Sequence, residues 1–168
     1  QCLLCPFVDD CKGRRDGDPE SYPRLRRVTK SVTVRLLLIV VRNEEKVLLF
    51  RRADDSSLLA GTWELPWLEL QAVGGEEERE LERRLAGRYG GRWQLGDLYG
   101  EVRHSITYRS IVAAVRGATL ASDEVAEGRP AGWFEAEELG SLALSSLVGK
   151  AVRRAMGASP ARNRPAAR

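Results

Sequence analysis

From Val32 to Val41, β-branched residues and leucines follow one another with only Arg35 between them. Such a run predicts a strand buried on both faces. Asn43-Glu44-Glu45 predicts a turn, and Val47–Phe50 a returning strand. Ala53–Gly61, with its Asp and Ser residues, is expected as a surface loop. Trp63–Leu70 is expected as a third strand, with Pro66 bending it or placing it at an edge. Gly74-Gly75 then breaks the pattern before a helix. Glu76, Glu77, Glu78 and Glu80 would stand at its start, where the macrodipole favours acids. Leu81, Leu85 and Tyr89 recur at helical spacing on one face, and Gly90-Gly91 ends the segment. Strands are expected at about Asp97–Val102 and Ile106–Val115, then a polar loop from Ser122 to Pro130 and a short extended Trp133-Phe134. Leu144, Leu147, Val148, Ala151, Val152, Ala155 and Met156 mark a final amphipathic helix capped by Ser145 or Ser146. Trp63, Trp67, Trp93 and Trp133 are expected in the core or the sheet rather than on a stacking platform. Together these elements predict an α+β fold around one mixed sheet flanked by helices.

Composition narrows this little. The chain has 168 residues, 43% hydrophobic and 30% charged, which suits one globular domain with short appendages. Four segments are expected: a cysteine-bearing stretch at 1–12, a linker at 13–31, the sheet domain at 32–157 and a disordered basic tail at 158–168. No apolar run approaches the roughly 18–20 residues that cross a bilayer, because Leu36–Val41 lies between Arg35 and Arg42. Residues 1–12 do not read as a signal peptide. No membrane contact is expected, and a cytoplasmic, monomeric, nucleoid-associated bacterial protein is.

Charge changes the picture more. Net charge is +3, yet Lys12–Arg35 holds eight basic and three acidic residues, and Leu139–Arg168 holds six basic residues and no acid. Basic ends around a more acidic body suit contact with a phosphate backbone, although a solvated surface explains the charge equally well.

Cys2, Cys5 and Cys11 are spaced C-x2-C-x5-C, and all three cysteines fall in the first eleven residues. A secreted disulfide framework is therefore not expected. Thiolates bind zinc or iron–sulfur clusters, and closed sites usually want four ligands. The first residue is Gln rather than Met, so the chain is expected to be a fragment whose fourth ligand lies upstream. Redox use of the C-x-x-C pair is a weaker reading, since no strand-to-helix junction surrounds it. The spacing resembles the end of the C-x6-C-x2-C-x5-C signature that holds a 4Fe–4S cluster in endonuclease III-like DNA glycosylases. That resemblance would place the missing ligand seven residues before Cys2.

Residues 32–157 resemble a Nudix domain in their order of strands, the Trp63-Glu64-Leu65-Pro66 segment and the acidic helix ending in Gly. The Nudix box, G-x5-E-x7-R-E-U-x-E-E-x-G-U with U aliphatic, uses its carboxylates to hold divalent metals. Arg83, Leu85 and Gly90 keep its frame, but Arg84, Gly87 and Arg88 occupy the three glutamate positions. Binding is thus expected rather than hydrolysis. A cysteine cluster, a linker and a degenerate Nudix domain resemble the C-terminal part of the MutY-type adenine DNA glycosylases. Leu59–Pro66 is similar to that family's L-x-G-x-W-x-F-P, Arg103–Tyr108 falls at its H-x-F-S-H, and Trp133-Phe134 and Leu142–Val152 resemble its closing strand and helix.

The resemblance implies a parent enzyme of base excision repair that excises adenine opposite 8-oxoguanine. Its catalytic carboxylic acids would lie in a separate helical domain, and no catalytic residue is expected in this chain. It further implies that Cys2, Cys5 and Cys11 ligate a 4Fe–4S cluster. Ser105, Thr107 and Tyr108 would contact the lesion, and Arg26, Arg27 and Lys30 the backbone of double-stranded DNA carrying 8-oxoguanine opposite adenine. Ile106, Thr107 and Tyr108 replace Phe, Ser and His, so only the hydroxyl of Thr107 is kept in kind. Ordinary strand alternation explains Ile106–Tyr108 about as well. His104, the single histidine, is expected to be a packed or hydrogen-bonded residue. Two other readings stay open: a Nudix hydrolase with unusual ligands, and a nucleotide-binding regulator.

Overall fold

The computed structural model describes residues 2–22, 31–71, 77–121 and 130–157. The chain divides into two compact units, Gln1–Ser31 and Val32–Arg168. Arg26, Arg27 and Lys30, most of the Ser122–Pro130 loop, Glu76 and the basic tail lie outside the described residues.

The second unit is built on strand β1 (Val32–Asn43), which runs parallel to β6 (Arg109–Leu120) over ten residue pairs. Successive side chains of a strand point to opposite faces, so a strand covered on both sides must be apolar at odd and even positions alike. Leu37, Ile39 and Val41 pack beneath helix α2 (Glu78–Tyr89), joined by Leu48, Phe50, Leu81, Leu85 and Tyr89. Leu38 and Val40 face helix α3 (Ser146–Gly157), with Val47, Leu49, Val148, Ala151, Val152 and Ala155. The uninterrupted apolar run of β1 is the cost of two cores sharing one strand.

The sheet order is β3-β2-β1-β6-β5. Strand β2 (Lys46–Arg51) returns antiparallel to β1 through the turn at Glu44-Glu45 and also pairs with β7 (Ala131–Glu135). The segment expected as one third strand is two. Trp63–Glu64 (β3) pairs with β2, whereas Trp67–Glu69 (β4) pairs with β1. Pro66 sits at the switch, where its missing N–H costs no ladder bond.

Strands β5 (Trp93–Ile106) and β6 are longer than their apolar pattern suggests and form one hairpin whose two-residue turn is Thr107-Tyr108. Parallel pairing of β6 with β1 and antiparallel pairing elsewhere make the sheet mixed, as expected. Helix α2 ends at Gly90, whose φ of 76° suits glycine. Helix α3 starts later than its apolar stripe: Leu144 instead bridges to Trp63, and the Ser145 hydroxyl accepts the Val148 N–H at 3.3 Å. Trp93 is buried, and Trp133, although 40% exposed, lies in β7 of the sheet opposite Leu48, so both fall in the core or the sheet as expected.

The first unit carries local order where a linker was expected. A one-turn helix, α1 (Lys12–Arg15), and a 3₁₀ turn at Pro19–Ser21 close around Gly13, whose missing Cβ leaves room for Pro19. The Tyr22 hydroxyl donates to the Asp16 carboxylate at 2.5 Å.

Candidate nucleic-acid interface and the altered metal face

Helix α2 is where a Nudix hydrolase would present carboxylates. Arg84 and Arg88 stand four residues apart on one helical face. The Arg84 guanidinium donates to the Glu69 carbonyl at 2.7 Å, and the Arg88 guanidinium lies over the Trp67 ring at 3.8 Å from its centroid. Both cations tie the helix to β4. A Cβ at Gly87 would meet nothing within 4 Å. The acids of this helix are committed elsewhere: Glu78 pairs with Arg116 at 2.6 Å, Glu80 pairs with Arg83, and Glu82 accepts the Leu95 N–H at 2.8 Å. Buried Glu64 accepts the Trp67 indole N–H at 3.1 Å and pairs with Arg52 at 3.4 Å. It closes a local network rather than opening onto a cavity.

Ser105, Thr107 and Tyr108 come together at the tip of the β5–β6 hairpin, and all three are exposed. Ser105 lies opposite Ser110 in the ladder, and the Tyr108 carbonyl accepts the Val32 N–H at 2.8 Å. Sequence reading placed Ile106–Tyr108 at a strand start. The structure instead makes Thr107-Tyr108 a turn, with Thr107 at φ 49° and Tyr108 outside the positive-φ set. A positive φ at the first turn position only is the pattern of a type II′ turn, which ordinarily wants Gly there. Thr107 therefore occupies a strained conformation for a β-branched residue. Ile106 and Tyr108, 49% and 47% exposed, put an apolar and an aromatic surface beside its hydroxyl. The Arg109 guanidinium approaches the Tyr108 ring at 5.9 Å. A protruding tip of this kind can stack on a base and offer hydrogen-bonding hydroxyls. His104 is half-buried on the strand below.

In the first unit, Cys2 and Cys5 are exposed, Cys11 is half-buried, and none forms a disulfide. The Cys5 N–H donates to the Cys2 carbonyl, so those two share one turn. Three thiols are the right donor type for zinc or an iron–sulfur cluster. They do not assemble on their own: among the described residues no three Cys, His, Asp or Glu side chains gather into a ligating group.

Sequence reading missed a set of residues on α3. Lys150, Arg153 and Arg154 line an open cleft of about 590 Å³ against β5. Their i, i+3, i+4 spacing was the signal, hidden behind the apolar stripe on the other side of the same helix.

Two helix-backed cores sharing a mixed sheet, with a helix at the box position, define a Nudix-type sandwich. The chain belongs to the NUDIX domain family, whose model matches residues 36–154. A MutT protein from Methanosarcina mazei is similar in fold, with a TM-score of 0.63 and 22% identity, covering 77% of this chain and 97% of that one. A MutT Nudix hydrolase from Burkholderia pseudomallei gives a TM-score of 0.59 at 22% identity, over 74% of this chain and 98% of its own. The C-terminal domain of mouse MUTYH, solved in complex with human PCNA, is 30% identical with a TM-score of 0.52, over 74% of this chain and 88% of that chain. No helix among the described residues is long and apolar enough to cross a membrane.

Proposed function

We propose that this chain is the lesion-recognising part of an adenine DNA glycosylase, reading 8-oxoguanine opposite adenine while a separate domain cleaves the glycosidic bond. The observation that carries this reading is the conversion of the box face of α2. Arg84 and Arg88 are bound to β4, and Gly87 offers no ligand, at the three positions where hydrolysis needs carboxylates on a metal. Loss of that chemistry leaves binding as the work of the domain. The 30% identity to the MUTYH C-terminal domain supports the same assignment.

In this reading the exposed hairpin tip meets the oxidised base. The Thr107 hydroxyl exchanges hydrogen bonds with it and Tyr108 offers a stacking face. Arg26, Arg27 and Lys30 would hold backbone phosphates. Cys2, Cys5 and Cys11 would hold a 4Fe–4S cluster with a fourth ligand from outside this sequence. When bound, the cluster would supply a structural crosslink, gathering thiols that the chain alone leaves apart.

The test pairs two measurements. The 168-residue chain should bind duplexes with 8-oxoguanine opposite adenine more tightly than duplexes with guanine there, and Thr107→Ala should shrink that preference several-fold. Nucleoside diphosphate derivatives with Mg2+ should show no turnover. Robust hydrolysis, or equal affinity for the two duplexes, would overturn the assignment.

A further inference from the structure

We infer that the cleft between α3 and β5 is a second DNA-contacting surface that clamps the phosphate backbone a few nucleotides from the base met by the hairpin tip. The inference rests on the DNA-binding reading above but uses different residues. Strand β5 is an edge of the sheet, so one row of its backbone groups lacks a neighbouring strand. Helix α3 lies along it. The Lys150 ammonium donates to the Arg103 carbonyl at 2.9 Å, which anchors the helix while leaving its charge in place.

One turn further on, β5 is interrupted by register shifts between Leu95 and Gly100. Gly100 has a φ of 121°, and a Cβ there would fall 2.8 Å from the Arg154 Nε. The backbone irregularity and the missing side chain together make the bed on which the Arg154 guanidinium lies. Arg153 stands beside it, exposed. Among the described residues, neither Arg153 nor Arg154 pairs with an acid. Glu101, the acid in the lining, is engaged by Arg103 at 3.1 Å.

An ordinary solvated helix face mixes signs, and basic residues in a last turn are favoured by the macrodipole. The macrodipole accounts for Arg153 and Arg154 in part. It does not account for Lys150 in the first half of the helix, for the glycine bed under Arg154, or for a segment from Leu139 to Arg168 with six basic residues and no acid. Cations spaced i, i+3, i+4 share one helical face, where they can meet a phosphate backbone together.

The hairpin places these cations relative to the tip. Arg103, opposite Lys150, precedes Thr107 by four residues, or about 13 Å of strand. That length equals about four base steps along one DNA strand. A duplex whose lesion sits at Thr107-Tyr108 can therefore lay its own backbone against Lys150, Arg153 and Arg154.

The test is the salt dependence of duplex binding by the full chain, followed by fluorescence anisotropy. Replacing three phosphate contacts through K150Q/R153Q/R154Q should reduce the slope of log K against log salt by about 2.7, at about 0.9 per contact, and weaken binding to lesion and undamaged duplexes alike. A K150R/R153K/R154K variant, which keeps the charges, should restore most of the slope, and circular dichroism of both variants should match the parent. An unchanged slope in K150Q/R153Q/R154Q, with its fold intact, overturns the clamp and leaves the lesion reading standing. A reduced slope in a protein with no lesion preference supports the clamp while the lesion reading falls. Failure of the parent to bind any duplex overturns the clamp as well.

Discussion

Thr107 holds φ at 49°, in the left-handed region that a β-branched side chain enters only at a cost of about 1–2 kcal/mol. A glycine would relieve the strain, but part of the gain returns as unfolded-chain entropy. Thr107→Gly should therefore stabilise the domain by about 0.5–1 kcal/mol, read as a rise of about 2–4 °C in melting temperature. Thr107→Val keeps the branching and the strain, so its stability should stay near that of the parent. Both lose the hydroxyl, and both should lose preference for 8-oxoguanine together. A Thr107→Gly protein that melts lower than the parent would show that the turn is not strained. Strain retained at an exposed tip is consistent with the binding role proposed for Thr107.

At the scale of elements, α2 is a Nudix helix whose surface has been put to another use. Its apolar side packs Leu81, Leu85 and Tyr89 under β1, while Arg84 and Arg88 flank that side and reach β4, the Arg88 guanidinium also lying 5.4 Å from the Tyr89 ring centroid. The three buried side chains hold this frame without needing carboxylates at 84, 87 and 88. Restoring carboxylates with R84E/G87E/R88E should remove the Arg84 bond to Glu69 and the Arg88 stack on Trp67, costing about 2–3 kcal/mol in the absence of metal. Mg2+ should then raise the melting temperature of this variant and leave that of the parent unmoved. A Mg2+-insensitive variant would mean that the helix no longer aims these positions at a shared point. The same contrast explains what could be read in advance. A 3.6-residue apolar period and a continuous β1 run report burial, so α2, α3 and the paired cores were legible. The Thr107-Tyr108 turn was not, because neither residue is a usual turn former and tertiary pairing of Ile106 with Arg109 fixes it. The division of Trp63–Glu69 between two partner strands was hinted at only by Pro66. The loss of metal ligands at Arg84, Gly87 and Arg88 could be read by position, but the new use of the two arginines depends on Glu69 and Trp67 and could not.

At the scale of the molecule, the two units differ in what holds them together. Val32–Gly157 has two apolar cores, whereas the Gln1–Ser31 unit buries little among its described residues beyond Gly13. Leu3, Leu4 and Phe7 are 88%, 91% and 73% exposed. A unit of about 30 residues cannot bury enough surface to offset its chain entropy, and such segments normally rely on a disulfide, a metal or a partner surface. Cys2, Cys5 and Cys11 are free, and the metal crosslink proposed above would be a means of stabilisation that its own residues offer. Anaerobic reconstitution with iron and sulfide, with a small thiol present to complete the ligand set, should bring visible charge-transfer absorbance. It should also slow amide exchange in residues 2–22 while exchange in the strands β1, β2 and β6 stays as it was. Cys5→Ala should abolish both effects without moving the melting temperature of the Nudix unit. If exchange in residues 2–22 is unaffected by loading, or zinc alone slows it with no colour from iron, the iron–sulfur assignment fails. The hairpin tip and the α3 cleft would still stand, because neither depends on those three thiols.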